Sequence, residues 1–110
     1  MKLRLEDNTL RLRLSAEEVA DFGRTGQLQT VVPLGPAALD TLTYVLVRAA
    51  GLGGLELQLA YSPGHITVQV PAAVADEWTA SETISLRCSY PVAGNQVLHI
   101  LVEKDLGCKH

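Results

Sequence analysis

The stretch VLHILVEKDLGCKH, residues 97–110, combines a long apolar run with three consecutive charged residues, followed by a cysteine and a histidine. Aliphatic residues dominate its first half, which predicts a strand that begins near Val97. Side chains alternate between the two faces of a strand, so Leu98, Ile100 and Val102 share one face. We expect this strand to be central in a sheet, with these three residues in the core.

Alternation of apolar and polar residues with a period of two recurs along most of the remaining chain and predicts half-buried strands. The predicted strands are residues 2–6, 9–14, 27–32, 39–50, 55–61, 65–70 and 82–90. The run 39–50 is apolar on most of both faces and rich in β-branched residues, which favours a strand. A buried helix is the alternative for that segment.

Two short helices are expected between the strands. Ser15 and Glu18 have the spacing of a capping box, which predicts a helix over residues 15–23. A second helix, over residues 71–80, starts at a proline and carries Trp78 as its buried anchor. The pattern predicts a mainly β protein at the margin of the α+β class, with about eight mostly antiparallel strands in a barrel or a rolled sheet. No internal repeat is evident.

The composition is that of a single folded domain over residues 1–110, with 47% hydrophobic and 19% charged residues. The net charge of −3 disfavours a general nucleic-acid binder, which needs an excess of cations to displace counterions. No apolar run approaches the roughly 20 residues of a membrane helix, and residues 1–7 lack the apolar core of a signal peptide. We therefore expect a cytoplasmic protein, not associated with membranes, whose two cysteines are thiols.

A cationic stripe lies opposite the leucines of the first two predicted strands; its members are Lys2, Arg4, Arg11 and Arg13. Such side chains are neighbours across an antiparallel pair, so water, nearby acidic residues or a bound anion must offset their repulsion. Glu103 and Asp105 are candidates for the acidic residues. A solvated, ion-paired face is one interpretation. If the stripe lines a concave surface, guanidinium groups suit phosphate or carboxylate, and the candidate ligand-binding residues are Arg4, Arg11, Arg13, Glu103 and Lys104.

Cys108 and His110 are two residues apart and form a candidate metal or thiol site. A structural zinc site normally needs four ligands, and His65 and His99 are the histidines that remain to complete one. Cys88 lies on the apolar face of its predicted strand and is expected in the core. A structural role is also the default expectation for His99.

Several segments together resemble a family of small uncharacterised bacterial proteins. They are RLRLS at residues 11–15 with Glu18-Val19, LTY at 42–44, Val70-Pro71 with Trp78 downstream, and LVEKD at 101–105 with Cys108. The first is similar to that family's IRLRLTxxEV pattern and the last to LLVEKDFxCL, with Leu106 in place of the aromatic residue. The resemblance implies a bacterial source and a common fold, and it implies no reaction.

The sequence does not specify a biochemical activity. It lacks the G-x-S-x-G, H-E-x-x-H and C-x-x-C motifs and an EF-hand loop, which disfavours the common hydrolases, zinc peptidases and calcium binders. The leading interpretation is a non-enzymatic binding or interaction module without a cofactor, compatible with a homodimer formed through an edge strand. The alternatives are the small-anion or phosphorylated-ligand site on the cationic stripe and the metal or thiol site at Cys108 and His110.

Overall fold

The computed structural model describes residues 1–105, which form eight strands and two helices. In chain order the elements are β1 (Lys2–Glu6), β2 (Thr9–Leu14), α1 (Ala16–Thr25), β3 (Gln27–Pro33), β4 (Thr41–Ala49), β5 (Gln58–Ser62), β6 (His65–Pro71), α2 (Ala72–Ala80), β7 (Ser85–Pro91) and β8 (Val97–Lys104). The predicted mainly β class is confirmed. The apolar run of the fourth predicted strand is β4, so the buried-helix alternative for it is wrong.

The strands form two four-stranded sheets. Sheet 1 has the order β1-β2-β8-β7 and sheet 2 has the order β3-β4-β6-β5. The hairpin pairings are antiparallel, whereas the central pairings, β2 with β8 and β4 with β6, are parallel. Within residues 1–105 no ladder joins the two sheets. The barrel alternative is therefore wrong, because both sheets are open and each keeps two edge strands.

The two halves of the chain repeat one arrangement, ββαββ. Each half contributes one hairpin to each sheet, with β1-β2 and β7-β8 in sheet 1 and β3-β4 and β5-β6 in sheet 2. The registers also correspond: the pair Leu3–Leu12 in sheet 1 matches the pair Leu59–Val68 in sheet 2, an offset of 56 residues. The expectation that the chain has no internal repeat is therefore wrong for the structure. The repeat preserves pairing and apolar character more than residue identity.

The inner faces of both sheets and one side of each helix share a single hydrophobic core. Ile100 and Val102 are fully buried in it, and Leu98 packs against it half-buried, as the sequence predicts. Trp78 of α2 is also fully buried; its Nε1 donates a hydrogen bond to the carbonyl oxygen of Ile84 at 3.1 Å. The outer faces of the sheets are consequently left to interact with solvent or ligands.

The two helices meet through equivalent residues. Phe22 of α1 and Trp78 of α2 are 56 positions apart, and their rings pack edge to face with centroids 6.3 Å apart. Such aromatic pairs contribute about 0.5–1.5 kcal/mol beyond the area they bury. Neither of the two helices in residues 1–105 has the length and apolar character needed to cross a bilayer.

The N-terminus of α1 is fixed by the predicted capping box. The Ser15 hydroxyl accepts a hydrogen bond from the backbone N–H of Glu18, and the Glu18 carboxylate accepts one from the backbone N–H of Ser15. The carboxylate also forms an ion pair with the N-terminal ammonium group of Met1. Burial raises the pKa of the Glu18 carboxyl, but the hydrogen bonds from the ammonium group and from Ser15 outweigh burial and leave that pKa below its ordinary value.

Candidate functional site

The cationic stripe lies on the outer face of sheet 1. In the β1–β2 hairpin Lys2 pairs with Arg13 and Arg4 pairs with Arg11, so two pairs of like charges are directly opposite one another. Directly opposed like charges destabilise a sheet. Strand β8 runs beside β2, and its register places Glu103 opposite Arg13. The structure thus brings Glu103 onto the same face as the four cations.

This face contains twelve outward positions in three rows that cross the strands from β1 to β7. The rows are Lys2–Arg13–Glu103–Ser85, Arg4–Arg11–Leu101–Arg87 and Glu6–Thr9–His99–Ser89. We call these twelve residues the charged face. They include five of the nine lysines and arginines of the chain but two of its twelve acidic residues, so the face is net cationic in a chain of net charge −3.

Glu103 is the acidic centre of this cluster. Its Oε2 accepts hydrogen bonds from Arg13 Nε at 3.1 Å and from Arg13 Nη2 at 2.8 Å, and Arg11 Nε lies 3.7 Å from the same oxygen. The Glu103 side chain is 15% exposed, against 31% for Arg11 and 43% for Arg13. The hydrogen bonds and charge of Glu103 raise the pKa of the Arg13 guanidinium. Glu103 therefore offsets part of the cationic stripe, the structural role predicted for it.

Arg11 carries a buried donor that lacks a hydrogen-bond partner, although an acidic residue lies beside it. Its Nε is buried and is the one such side-chain nitrogen or oxygen of residues 1–105 without a hydrogen-bond partner. Because Glu103 Oε2 already accepts two hydrogen bonds from Arg13, Arg11 has only a Coulombic contact with it. An unpaired buried donor costs roughly 1–3 kcal/mol, and such groups call for an explanation in a folded protein.

The charged face is concave around these arginines. A depression of about 330 Å³ is lined by Lys2, Leu3, Arg4, Arg11 and Arg13. A second, of about 190 Å³, continues past Arg4 and Arg11 towards the turn between β1 and β2. Concavity is the condition under which the stripe suits an anion, because several guanidinium groups then reach one ligand.

Arg87 extends the charged face on the far side of β8, and the sequence did not single it out. The alternation along β7 places it opposite the half-buried Leu86 and Cys88, so its outward position was readable from the sequence. The sequence could not predict that Arg87 lies near Arg11, because their proximity depends on β8 lying between β2 and β7. His99 Nδ1 and Ser89 Oγ are 3.2 Å apart in the adjacent row.

Lys104 does not lie with the other predicted ligand residues. Its Nζ donates a hydrogen bond to the carbonyl oxygen of Ser81 at 2.8 Å and lies 5.4 Å from the centroid of the Trp78 ring. Its counterpart in the other half, Arg48, donates two hydrogen bonds of 2.8 Å to Asp76. The hydrogen bond with Arg48 holds the pKa of the Asp76 carboxyl below its ordinary value. Both cations connect the end of a strand to the region of α2.

The predicted metal or thiol site, Cys108 and His110, lies outside the described residues and stays a prediction. Within residues 1–105 no group of three or more His, Cys, Asp or Glu side chains is arranged to hold a metal ion. Cys88 is half-buried beside the core, where its Sγ lies 3.5 Å from the carbonyl oxygen of Leu57. Burial raises the pKa of the Cys88 thiol, and the charge of Glu56 adds to the effect, so the reactive thiolate is disfavoured.

The equivalent outer face of sheet 2 provides an internal comparison. Its rows are Gln58–Gln69–Val47–Gln27, Ala60–Thr67–Val45–Gln29 and Ser62–His65–Thr43–Val31. We call these twelve residues the uncharged face, because none is a lysine, arginine, aspartate or glutamate. At the positions equivalent to the cationic stripe it carries Gln58, Ala60, Thr67 and Gln69. The same strand arrangement therefore forms without cations at these four positions.

A family model matches the sequence over residues 1–110; its description is a family of unknown function, DUF7009. The chain belongs to that family. No curated protein and no solved structure matches the sequence significantly. Membership of DUF7009 agrees with the resemblance to an uncharacterised family and assigns no activity to the charged face.

Proposed function

We propose that the protein is a non-enzymatic binding module and that its charged face binds a small anionic or phosphorylated ligand. The observation that carries this proposal is the contrast between the two outer faces. The outer faces of two equivalent four-stranded sheets differ in that one bears five lysines and arginines and the other none. Since the outer face of sheet 2 forms without lysine or arginine, stability of the sheet alone does not account for the cations on the outer face of sheet 1.

The local geometry supports an anionic ligand in particular. Lys2 opposite Arg13 and Arg4 opposite Arg11 repel one another, and Glu103 offsets only part of that charge. A phosphate or carboxylate in the depression beside Arg4 and Arg11 would remove the repulsion and supply acceptors to the guanidinium groups. Charge-assisted hydrogen bonds of this kind are roughly twice as strong as neutral ones, and guanidinium groups bind such anions through two parallel bonds.

The test is calorimetric titration with inorganic phosphate at low ionic strength, where surface electrostatics are least screened. The double variant Arg11→Thr/Arg13→Gln replaces two cations with the residues found at the equivalent positions of the uncharged face. We expect wild type to bind and the double variant to lose at least about tenfold in affinity, which corresponds to 1.4 kcal/mol.

The matched control is Arg24→Gln, which removes an exposed arginine paired with Asp21 on α1. This control should bind phosphate like wild type. Equal affinity in wild type and the double variant, with both folded, would contradict the proposal, as would the absence of binding to wild type.

Self-association through an edge strand is a second candidate, favoured by the edges of sheet 2. Strands β3 and β5 contain no charged residue, and Val31 and Tyr61 on them are exposed. The edges of sheet 1 carry charges, which protect an exposed edge from pairing. In this candidate two copies pair through a sheet 2 edge, in the cytoplasm that the sequence predicts and the bacterial source that the family resemblance implies.

Light scattering coupled to gel filtration tests this candidate with Val31→Lys. The expected result is a wild-type dimer that the substitution dissociates, because an inserted lysine blocks edge pairing. Leu34→Lys, at an exposed apolar residue outside the strands, is the control and should remain dimeric. A wild-type monomer at high concentration would exclude this candidate.

A further inference from the structure

The charged face has a second cationic position, separated from the first by an uncharged residue. The middle row places Arg4 next to Arg11, then Leu101, then Arg87. Neighbouring strands in a sheet are about 4.8 Å apart, so the backbones at Arg11 and Arg87 are separated by about 10 Å. One row therefore offers two anion positions at opposite ends of an apolar contact.

Arg87 is not neutralised in the way that Arg13 is. Within residues 1–105 the Arg87 guanidinium forms no ion pair, whereas Glu103 lies in the next row and bonds to Arg13. Glu6, the other acid of the face, forms its ion pair with Arg4. The two carboxylates of the charged face thus act near β1 and β2. Glu56, outside that face, lines the groove beside Arg87, but within residues 1–105 it forms no ion pair with Arg87. The positive charge at β7 therefore remains available to a ligand.

The surface beside Arg87 is a groove of about 600 Å³. Its lining comprises Leu101 and Arg87, the hydrogen-bonded pair Ser89 and His99, and also Cys88 and the acidic residue Glu56. Leu101 can contact an apolar carbon chain, and Ser89 and His99 can hydrogen-bond to hydroxyl groups. The groove therefore suits the uncharged middle of a ligand that has a hydroxylated carbon chain. None of the twelve residues of the charged face is phenylalanine, tyrosine or tryptophan, so the face lacks the row of large aromatic rings on which single-stranded nucleic acids stack.

We infer that the ligand of the charged face is a small bis-anionic molecule, with one anionic group at Arg4, Arg11 and Arg13 and the other at Arg87. This inference rests on the proposed function, because the first group occupies the site proposed above. Its new content is the ligand class: two phosphate or carboxylate groups about 10 Å apart, joined by a linker that crosses Leu101 of β8. Arg87 is the residue that selects such a ligand over a single anion.

The test compares methylphosphonate with alkane-α,ω-bisphosphonates of increasing chain length, each titrated into the full-length protein. Binding to both positions converts the second contact into an intramolecular one, so affinity should pass through a maximum when the linker spans them. At a separation of about 10 Å we expect a gain of at least about tenfold over methylphosphonate. Shorter bisphosphonates should bind without that gain.

The deciding variant is Arg87→Gln, which places at this position the residue that the uncharged face carries, Gln29. It should abolish the gain of the long bisphosphonates over methylphosphonate, while Arg24→Gln preserves that gain. Methylphosphonate binding with no dependence on chain length, or with a gain that survives Arg87→Gln, would overturn the inference and leave the proposed function standing. The absence of binding by every phosphonate and by phosphate would overturn both.

Discussion

Substitution of Glu103 by glutamine should weaken the fold and strengthen anion binding at the same time. The Glu103 carboxylate is 15% exposed and lies 3.7 Å from Arg11 Nε. Two unit charges at about that distance interact by about 4 kcal/mol at the effective dielectric constant of about 20 that suits protein sites near a surface. The cost of removing the carboxylate from water offsets much of this attraction, and solvent screens the more exposed contact with Arg13.

We therefore expect Glu103→Gln to destabilise the protein by about 1–2 kcal/mol, between the values for exposed and buried pairs. For a domain of this size that corresponds to a fall in melting temperature of about 5–10 °C. The lost carboxylate also leaves Arg11 and Arg13 without their acidic partner. Phosphate affinity should then rise by about fivefold, since phosphate can replace the lost carboxylate as the hydrogen-bond acceptor of these two arginines.

Thermal unfolding and phosphate titration of the same samples measure the two effects, with Glu6→Gln as the matched control. Glu6 is an exposed acid of the same face that pairs with exposed Arg4, so its removal should leave stability unchanged. A Glu103→Gln variant as stable as wild type would refute the role assigned to Glu103 as counter-charge. A variant with weaker phosphate binding would refute the view that Glu103 and the ligand compete for the same arginines.

Three further predictions concern the scaffold. Trp78→Phe removes the hydrogen bond to Ile84 and part of a fully buried ring, so urea unfolding should show a loss of about 2–3 kcal/mol. Glu18→Gln keeps a residue that the capping box accepts but removes the ion pair with the Met1 ammonium group, so it should cost up to about 1 kcal/mol near neutral pH. Because the folded state lowers the Glu18 pKa, wild type has this stability in full above the ordinary glutamate pKa and loses it as pH falls through the lowered value, so the two unfolding curves should converge in acid. Gly64→Ala should cost about 1–2 kcal/mol, because φ is +78° and the new Cβ would lie 3.1 Å from a backbone oxygen, whereas Gly51→Ala, with open space around it, should cost little.

The local structure was largely readable from the sequence because it depends on local chemistry. Alternation of apolar and polar residues located the strands, and the spacing of Ser15 and Glu18 located the start of α1. The turn between β1 and β2 was likewise predictable, since Asp7 tolerates the left-handed backbone it adopts there, with φ of 50°. These features are decided within a few residues of the chain.

Strand order was not readable, because the parallel neighbours β2 and β8 are about ninety residues apart and no local pattern specifies their pairing. For the same reason the sequence did not associate Arg87 with Arg11. The internal repeat was hidden because equivalent positions share burial rather than identity, as Phe22 and Trp78 illustrate.

Unlike the position of Arg87, the position of Lys104 outside the candidate site could have been predicted from the sequence. Strict alternation along β8 places Glu103 on one face and Lys104 on the other, together with Ile100 and Val102. Proximity in sequence suggested that Lys104 and Glu103 act together. The period of a strand predicts the opposite, and the hydrogen bond of Lys104 to Ser81 agrees with the strand period.

The most direct test of the central claim is a phosphate titration followed by the backbone amide resonances of the whole protein. The two outer faces have equivalent backbones and differ in charge, so each strand of sheet 1 has an internal reference in sheet 2. Shift changes should concentrate on Lys2–Glu6, Thr9–Leu14 and Val97–Lys104 and spare the equivalent Gln58–Ser62 and His65–Pro71. Equal changes in the two sheets, or none in either, would contradict the claim that the charged face is the binding surface.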